Sequence, residues 1–420
     1  MNQGEQQQLW VVSELYYPEE TSTGHYLTQM AEGLAANRPV RVICGQPTYS
    51  ARGVRAAKNE SRGGVQIHRC WGTTWNKNVL ALRVVNLLTL SLSIFINLLV
   101  RLRREQLVLV VTNPPLLPFL VSWVCWLRGA KCFLLIHDVY PQSATAAGFL
   151  KPNSWITRLL ENRVRRLYES VERIIVLGRD MQSLVCQKLR SSHDKVVVIP
   201  NWPDLDLVQA DPQSGKSLIQ SWGLQGKFIV QYSGNMGRTH NLEAVVECAS
   251  RLRHETGIHF LLAGCGAKKL WVQNALKQQQ LENVSFIDPL PRSRLSELLN
   301  ACDVSIITFV SGMAGVSVPS RMYNILAAGK PIIAMADEDS ELAQVVREER
   351  VGWTVHPGDV EGFARAICRA RDNPAQLAEM ALRARRAVEQ KYPLAEIVNR
   401  YEQLFQQHSL AAACDQRRAA

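Results

Sequence analysis

Arg321 is the residue whose position in the chain most directly indicates a chemical role. It lies in the segment AGVSVPSRMYNILAAGKPIIA (residues 314–334), which predicts a loop, a short helix and a buried strand. Pro319 and Ser320 are typical of a helix start and Gly329 of a helix end. A helix N-terminus carries partial positive charge, so an arginine there is unfavourable unless an anion binds. The segment therefore predicts a phosphate site; the alternative is an ordinary strand–helix–strand unit with a solvated arginine.

The same succession of strand, glycine turn and helix start occurs elsewhere in the second half of the chain. The apolar run at 228–233 leads through Gly234 and Arg238 into a predicted helix, and the run at 260–263 leads into a turn at Gly264. A single glycine turn is weak evidence for any function. Several at one edge of a parallel sheet form a crevice that suits a nucleotide.

The first half of the chain places candidate residues at a strand end too. His137 and Asp138 directly follow the predicted strand at 131–136. Because ligands of open parallel sheets bind beyond the carboxyl ends of the strands, both side chains are candidates for the site. The alternative for His137 is a hydrogen bond to a neighbouring backbone group. Gly24 opens a helical pattern after the first strand and its loop, with no GxGxxG fingerprint for a nicotinamide dinucleotide.

The elements that position these residues alternate between apolar runs and helical stretches, which is typical of an α/β fold. The segment Pro200-Asn201-Trp202-Pro203-Asp204 is the strongest break in this alternation and predicts a hinge. We expect a first domain at 1–203, a nucleotide-binding domain at 204–388, and a C-terminal helix with a frayed tail at 389–420.

The hinge contains Asp204-Leu205-Asp206, a spacing of carboxylates that can hold a divalent metal. No strand leads into this motif, and it lies in a proline-rich linker. We therefore interpret it as a coincidence and predict no metal site.

Two apolar helices are predicted in the first domain. Residues 79–100 are flanked by arginines, and residues 116–127 carry two tryptophans. The first stretch permits three interpretations: a helix packed on the protein, a helix in the membrane interface, or a membrane span. Its uninterrupted apolar part is shorter than a span needs and contains polar residues. We expect a protein that docks on a membrane without crossing it.

Composition narrows the class of partner. The chain has 420 residues, 47% of them hydrophobic, and a net charge of +11, so anionic partners are favoured. No nucleic-acid-binding module is recognisable. The ten cysteines form no CxxC pair and indicate reduced thiols in the cytoplasm. The first residues lack the features of a signal peptide.

The whole chain resembles the GT-B fold glycosyltransferases, and among them the retaining family 4 enzymes of the WbuB/WcaI type. The most specific motif is GVSVPSRMYNILAAGKP at 315–331. The other motifs that carry the resemblance are Gly24-His25, His137-Asp138 and residues 199–201, 232–238 and 262–266.

This resemblance implies an α/β fold of two doubly wound, Rossmann-like domains facing each other across a cleft, with the last helix crossing back to the first domain. It implies catalytic roles for His137, which would contact the donor sugar, Asp138 and Arg321. It also implies that the backbone of Pro289-Leu290 meets the base. The residues implied to bind the donor are Gly24, Gly234, Asn235, Arg238, His240, Gly264, Pro289, Leu290, Ser320 and Asn324.

The chain departs from the family pattern at two places. Many family 4 enzymes have two glutamates around the last motif, where Val316 and Asn324 stand here. Many also have Arg and Lys in the phosphate loop, at the positions of Asn235 and His240. These differences argue against a mechanism that depends on a carboxylate pair, and they leave Arg321, together with Arg238, to supply positive charge.

The resemblance implies transfer of L-fucose or N-acetyl-L-fucosamine from a UDP- or GDP-sugar to a polyprenyl-diphosphate-linked saccharide, without metal or cofactor. The setting would be O-antigen, capsule or colanic-acid synthesis, by a cytoplasmic enzyme at the anionic inner face of the plasma membrane. One alternative is a nucleotide-sugar 2-epimerase, which the missing glutamates disfavour. The other is a non-catalytic scaffold that binds nucleotide.

Overall fold

Two parallel sheets, one in each half of the chain, organise the protein. The computed structural model describes residues 7–48, 55–75 and 79–419, apart from the side chains of Leu80 and residues 408–419. The last strand of the first sheet ends at Val198 and the first strand of the second sheet begins at Phe228. The expected domain boundary at 203/204 falls between them.

The first sheet has eight strands in the order β3-β4-β2-β1-β5-β6-β7-β8. All neighbours are parallel except β3 and β4. Its strands are β1 (Leu9–Val12), β2 (Val40–Cys44), β3 (Asn59–Arg62), β4 (Val65–Arg69), β5 (Leu107–Val111), β6 (Lys131–Ile136), β7 (Arg173–Val176) and β8 (Val196–Val198). The helices around it are α1 (Ser22–Ala35), α2 (Leu80–Arg101), α3 (Leu117–Arg128), α4 (Gln142–Ala146), α5 (Trp155–Ser170) and α6 (Arg179–Lys188).

The second sheet has six parallel strands in the order β11-β10-β9-β12-β13-β14. They are β9 (Phe228–Asn235), β10 (Ile258–Cys265), β11 (Val284–Ile287), β12 (Val304–Thr308), β13 (Ile332–Met335) and β14 (Gly352–Val355). The helices of this half are α7 (Lys216–Ser221), α8 (Leu242–Arg251), α9 (Lys269–Gln279), α10 (Leu295–Asn300), α11 (Arg321–Ala327), α12 (Glu341–Glu348), α13 (Val360–Asp372) and α14 (Pro374–Lys391), followed by α15 (Leu394–Ala419).

The central strands are predominantly apolar because helices cover both faces of a parallel sheet. Every residue of β5 is buried, as is every residue of β12. In this arrangement the strands of each sheet present their carboxyl ends along one edge, where polar loops are free to form a site.

Helix α15 returns to the first half of the protein. Arg38, just after α1, makes a buried two-pronged ion pair with Glu402, with N–O distances of 2.6 and 2.8 Å. Val398 packs over Gly33, where a methyl group would come within 2.7 Å of it. The expected boundary at 388/389 lies inside α14, and α15 continues through the tail for which the sequence predicts fraying.

Helix α2 is long and apolar enough to cross a membrane by length and composition, with a mean hydropathy of 1.9. Its uncharged polar residues face the protein: the Asn86 side chain donates to the carbonyl of Trp75, and the hydroxyls of Thr89 and Thr73 are hydrogen-bonded to each other. The opposite side of the helix is exposed and entirely aliphatic. We call it the apolar face of α2: Val84, Leu88, Leu92, Ile96 and Val100.

Candidate active site

A cavity of about 310 Å³ lies between the two sheets, at the carboxyl ends of β6, β7, β9 and β12. Both halves of the chain contribute to its wall, and most of the contributing side chains are polar. The lining residues are Ser22, Thr23, Tyr26, His137, Asp138, Leu177, Asn201, Gly234, Asn235, Thr239, His240, Phe309, Ser317, Val318, Pro319, Ser320 and Arg321.

Arg321, the first residue of α11, places its guanidinium in this wall. Both terminal nitrogens, Nη1 and Nη2, are buried and have no hydrogen-bond partner among the described residues. The guanidinium lies 4.6 Å from the centre of the Tyr232 ring, which supports the cation from one side. A buried cation without a partner is costly, so the arrangement suits an anionic ligand in the cavity.

Gly234 permits this placement of Arg321. Its φ of +136° lies in a region that side-chain-bearing residues rarely adopt. A Cβ atom there would come within 3.1 Å of Arg321 Nη1. The absent side chain therefore leaves the end of β9 open to the guanidinium and to a ligand.

His240 lies at the far end of the glycine turn that begins at Gly234. Its Nδ1 accepts a hydrogen bond from the backbone N–H of Gly237 at 3.0 Å, and its ring stacks on Phe309 with centroids 5.3 Å apart. Burial, with smaller contributions from Arg321 and Lys268, holds the pKa of His240 well below its usual value. The imidazole is therefore neutral and adds no positive charge to the site.

His137 and Asp138 sit at the end of β6, as the sequence predicts. The hydroxyl of Thr112 accepts hydrogen bonds from both backbone N–H groups, at 3.1 and 3.5 Å. His137 Nε2 is buried with no partner among the described residues. Burial lowers the pKa of His137 to about 4 and raises the pKa of Asp138 to about 6. A neutral imidazole with a free nitrogen is thus available to a ligand hydroxyl.

Several residues proposed from the resemblance do not line the cavity. Gly24 lies inside α1, one residue from the lining residue Thr23, and its N–H donates to the hydroxyl of Thr21. Gly264 makes room for a neighbouring strand, because a Cβ there would collide with the carbonyl of Gly234. Both glycines allow close packing next to the cavity.

Four further residues proposed from the resemblance are also missing from the cavity wall: Arg238, Asn324, Pro289 and Leu290. Arg238 is exposed and its guanidinium stands 5.2 Å from the ring centre of Phe149, across from the first half of the protein. Asn324 accepts a hydrogen bond from the backbone N–H of Asp204 through its side-chain oxygen, at 2.8 Å. Pro289 and Leu290 lie in the loop after β11, away from the cavity wall. Of the two arginines expected at the diphosphate, only Arg321 reaches the cavity.

The Asp204-Leu205-Asp206 motif is part of the hinge network. The Asp204 carboxylate lies 3.3 Å from His25 Nε2 and 3.2 Å from Arg292, and these contacts lower its pKa. Asp206 is exposed. Within the described ranges, no cluster of three or more His, Cys, Asp or Glu side chains could hold a metal ion.

Contacts between the halves hold the loop that precedes α11. Asp180 Oδ2, from α6, accepts hydrogen bonds from the backbone N–H groups of Gly315 and Glu341, both at 2.9 Å. The N–H of Val139 donates to the carbonyl of Val316. Val316, one of the two positions where many relatives have glutamate, is therefore a buried contact between the halves.

Sequence reasoning missed part of the wall. Tyr26 donates its hydroxyl to the Ser320 carbonyl at 3.4 Å, and Asn201, Thr239 and Phe309 also line the cavity. Phe309 follows β12 directly, so the strand-end rule applied to every strand would have found it. Tyr26 lies within a helix, where no local signal distinguishes it from a core residue.

Two family models match the chain. The model described as a glycosyl transferase 4-like domain matches residues 22–202, and the model of glycosyl transferases group 1 matches residues 216–387. The division between them coincides with the division between the two sheets.

Curated relatives and solved structures agree with these models. A probable glycosyltransferase, WbjE of Pseudomonas aeruginosa, is 32% identical over 292 residues, which cover 70% of this chain and 72% of WbjE. WcaI of Escherichia coli, a putative colanic acid biosynthesis glycosyl transferase, is 26% identical over 91% of this chain and 97% of WcaI. A sucrose-phosphate synthase from Thermosynechococcus elongatus superposes with a TM-score of 0.76 over 97% of this chain and 100% of its own, at 16% identity. Anabaena HepE, solved in complex with UDP-glucose, superposes with a TM-score of 0.74 over 96% of this chain and 100% of its own, at 12% identity.

The two facing Rossmann-like domains and the cleft between them define a GT-B glycosyltransferase. Within that class the chain belongs to the family 4 glycosyltransferases, in the group that resembles WcaI and WbjE.

Proposed function

We propose that this glycosyltransferase transfers a sugar, with retention of configuration, from a nucleotide diphosphate donor to a lipid-linked saccharide. The observation that carries the proposal is the buried, unpaired guanidinium of Arg321 in a polar cavity between two Rossmann-like sheets. A diphosphate is the anion that a nucleotide-sugar donor would bring to it.

In the proposed reaction, the bond between the sugar C1 and the diphosphate oxygen breaks, and a bond from C1 to an acceptor hydroxyl oxygen forms. Negative charge develops on the departing diphosphate, where Arg321 stabilises it. A diphosphate oxygen accepts the proton of the acceptor hydroxyl. The neutral His137 bonds a hydroxyl of the donor sugar and Asp138 lies beside it. Arg321 supplies the positive charge, so we propose a reaction that needs no metal or cofactor.

Relatives support a place in surface polysaccharide synthesis. The name of WcaI refers to colanic acid biosynthesis, and that of AmsK of Erwinia amylovora, 22% identical over 38% of this chain and 41% of AmsK, to amylovoran biosynthesis. We propose an equivalent bacterial pathway for this chain, with L-fucose or N-acetyl-L-fucosamine as the sugar and a UDP- or GDP-sugar as donor.

The apolar face of α2 supports a location at the inner surface of the plasma membrane. Five aliphatic side chains are exposed along about four helical turns, a larger apolar stripe than soluble monomers usually expose. Residues 80–170 carry eleven Arg and Lys against four Asp and Glu, which favours an anionic lipid surface. We propose that α2 lies in the membrane interface.

The test is an incubation of purified protein with labelled UDP- and GDP-sugars and a polyprenyl-diphosphate-linked saccharide. We expect label from one donor to enter the organic phase. In Arg321→Ala this transfer should fall by about a hundredfold or more, because the positive charge that stabilises the departing diphosphate is lost. Circular dichroism would confirm the fold.

The matched control is Arg251→Ala, which removes a surface arginine that pairs with Glu247 on α8. It should transfer at the wild-type rate. Wild-type turnover in Arg321→Ala would contradict the role of Arg321. Nucleotide binding without transfer from any donor would favour the non-catalytic scaffold, and conversion of a UDP-sugar into its 2-epimer would favour the epimerase.

A further inference from the structure

A second cavity, of about 270 Å³, lies in the first half of the protein between α3, α4 and α5. We call it the lipid pocket: Thr112, Pro115, Leu116, Pro118, Phe119, Tyr140, Pro141, Ala144, Leu150, Leu160, Val164, Leu167 and Tyr168. Three of these side chains, those of Thr112, Tyr140 and Tyr168, carry a polar atom. Ordered water needs several polar partners, so a cavity with such walls suits an apolar ligand.

Helix α3 connects the lipid pocket to α2, because it lines the pocket and packs on α2. Helix α3 packs between α2 and α5, and the Trp123 ring of α3 stacks on Phe95 of α2 with centroids 5.5 Å apart. Leu116 and Leu160, at the mouth, are exposed, as is Trp155 at the start of α5. Exposed apolar side chains thus occur on α2, on α3 and at the pocket, and neither α2 nor α3 carries an acidic side chain.

The inner end of the lipid pocket adjoins the active site. Thr112 lines the pocket, and its hydroxyl accepts the hydrogen bonds from the backbone N–H groups of His137 and Asp138. Leu150 lines the pocket as well, and the adjacent Phe149 contacts the guanidinium of Arg238. Leu150 in the pocket wall is thus followed, one residue away in the chain, by a contact to Arg238 of the second half of the protein.

We propose that the lipid pocket holds the isoprenoid chain of the acceptor, next to its diphosphate, with Arg238 facing that diphosphate. This inference rests on the proposed function, since it takes the acceptor to be a polyprenyl-diphosphate saccharide. An apolar cavity of ~150 Å³ binds benzene, so this one accommodates about ten carbons, or about two isoprene units. The pocket lets the chain leave the membrane while the saccharide reaches His137.

The first experiment is photolabelling of the full-length protein with a photoreactive analogue of farnesyl diphosphate. We expect label on peptides of α4 and α5, displaced by farnesyl diphosphate but not by free pyrophosphate or a phospholipid. Label confined to other peptides would overturn the proposal. Equal displacement by phospholipid would also overturn it, because the pocket would then be a general acyl-chain site.

Two variants change the pocket without touching the donor cavity. Ala144→Leu fills it, and Leu160→Gln makes its half-exposed mouth polar. We expect photolabelling to fall about sixtyfold in Ala144→Leu, because the three added carbons take the place of three lipid carbons that each contribute about fourfold in affinity. Ala147→Leu is the control: it follows α4 directly and is not among the lining residues.

Transfer assays separate this proposal from the proposed function. For Ala144→Leu and Leu160→Gln, the ratio of kcat/KM for a polyprenyl acceptor to that for an acceptor with a methyl group instead of the chain should fall. An unchanged ratio in both variants would contradict the lipid pocket while leaving the transferase intact. If no acceptor is used at all, the photolabelling pattern still decides whether the pocket binds isoprenoid chains.

Discussion

His137 and Asp138 are adjacent buried groups whose pKa values shift in opposite directions. The folded protein keeps His137 neutral down to about pH 4, whereas the unfolded chain protonates it below about 6.5. This residue therefore removes stability as the pH falls from about 6.5 to about 4. The folded protein keeps Asp138 protonated up to about pH 6, whereas the unfolded chain ionises it above about 4. This residue removes stability as the pH rises through that range.

We predict that the two effects largely cancel between pH 4 and 6 in the wild type and separate in single variants. Relative to wild type, His137→Gln should become less stable as the pH rises from 4 to 6, by up to about 3 kcal/mol, because Asp138 then acts alone. Asp138→Asn should become more stable over the same range by a similar amount. Urea unfolding at a series of pH values measures both slopes, and parallel profiles for all three proteins would contradict the assigned shifts.

The sequence located the key residues of the cavity but did not determine which side chains reach it. Arg321 was identified from a local rule, because a cation at a helix start needs an anion. Arg238 obeys the same kind of rule, yet its side chain points out of the cavity toward Phe149. The direction of a loop side chain depends on what packs against the loop, and that information is not local.

At the level of elements, the loop before α11 depends on one carboxylate from the other half. Asp180→Asn replaces an acceptor of two backbone N–H groups, those of Gly315 and Glu341, by an amide that also donates. We predict a loss of about 2 kcal/mol in the free energy of unfolding and a higher KM for the donor, because the loop carries Ser317 and Ser320 to the cavity. Thermal unfolding and initial-rate kinetics measure the two effects.

The neighbouring Arg179 provides the comparison. Its side chain is 44% exposed and pairs with Glu348 at the surface and with the largely buried carboxylate of Glu341. Because the pair with Glu348 is exposed and the backbone N–H of residue 179 still donates to Glu341, Arg179→Ala should cost about 1 kcal/mol or less and leave the KM for the donor unchanged. Equal effects of the two substitutions would mean that general contact between the halves matters, and not the acceptor at Asp180.

Runs of apolar residues predict the central strands well because these strands are buried and predominantly apolar. The predicted strand at 131–136 coincides with β6, and the helix predicted at 79–100 is α2 shifted by one residue. The sequence pattern does not predict β3, β4 and β14. β3 and β4 form an antiparallel pair in which β3 is largely exposed and β4 carries Gln66, His68 and Arg69 among its apolar residues. β14 is an edge strand of mostly half-buried residues, so none of the three carries a continuous apolar signal.

For the whole molecule, the apolar face of α2 predicts binding to a membrane. Polar substitutions on that face should weaken this binding. Leu88 and Leu92 are 51% and 58% exposed, so the double variant Leu88→Gln/Leu92→Gln should fold normally. We expect its affinity for anionic vesicles to fall roughly thirtyfold through lost apolar burial. Vesicle sedimentation measures this, and binding should also weaken at high salt.

Leu382→Gln is the control for this experiment. Leu382 is 72% exposed but lies on α14 in the second half of the protein. Its substitution should leave vesicle binding unchanged. Equal losses in the double variant and in Leu382→Gln would show that exposed leucines bind lipid irrespective of position.

The arrangement of the two halves is the part of the fold that local patterns cannot supply. Alternating strands and helices indicate two α/β units, but strand order and the facing of the two sheets arise from long-range packing. The resemblance to family 4 enzymes provided that arrangement. The polar contacts that hold it, such as those of Asp180 and Tyr26, have no signature in the sequence.

The return of α15 to the first sheet makes the second half an insertion in the chain rather than a terminal module. The chain leaves the first half near Asn201 and re-enters it at Leu394. A chimaera that grafts the donor half of a relative onto this enzyme therefore needs two junctions. A graft joined at the hinge alone would bring a foreign last helix against α1, without the partner that Arg38 requires. Cutting the chain at the hinge would, for the same reason, leave the two fragments held together.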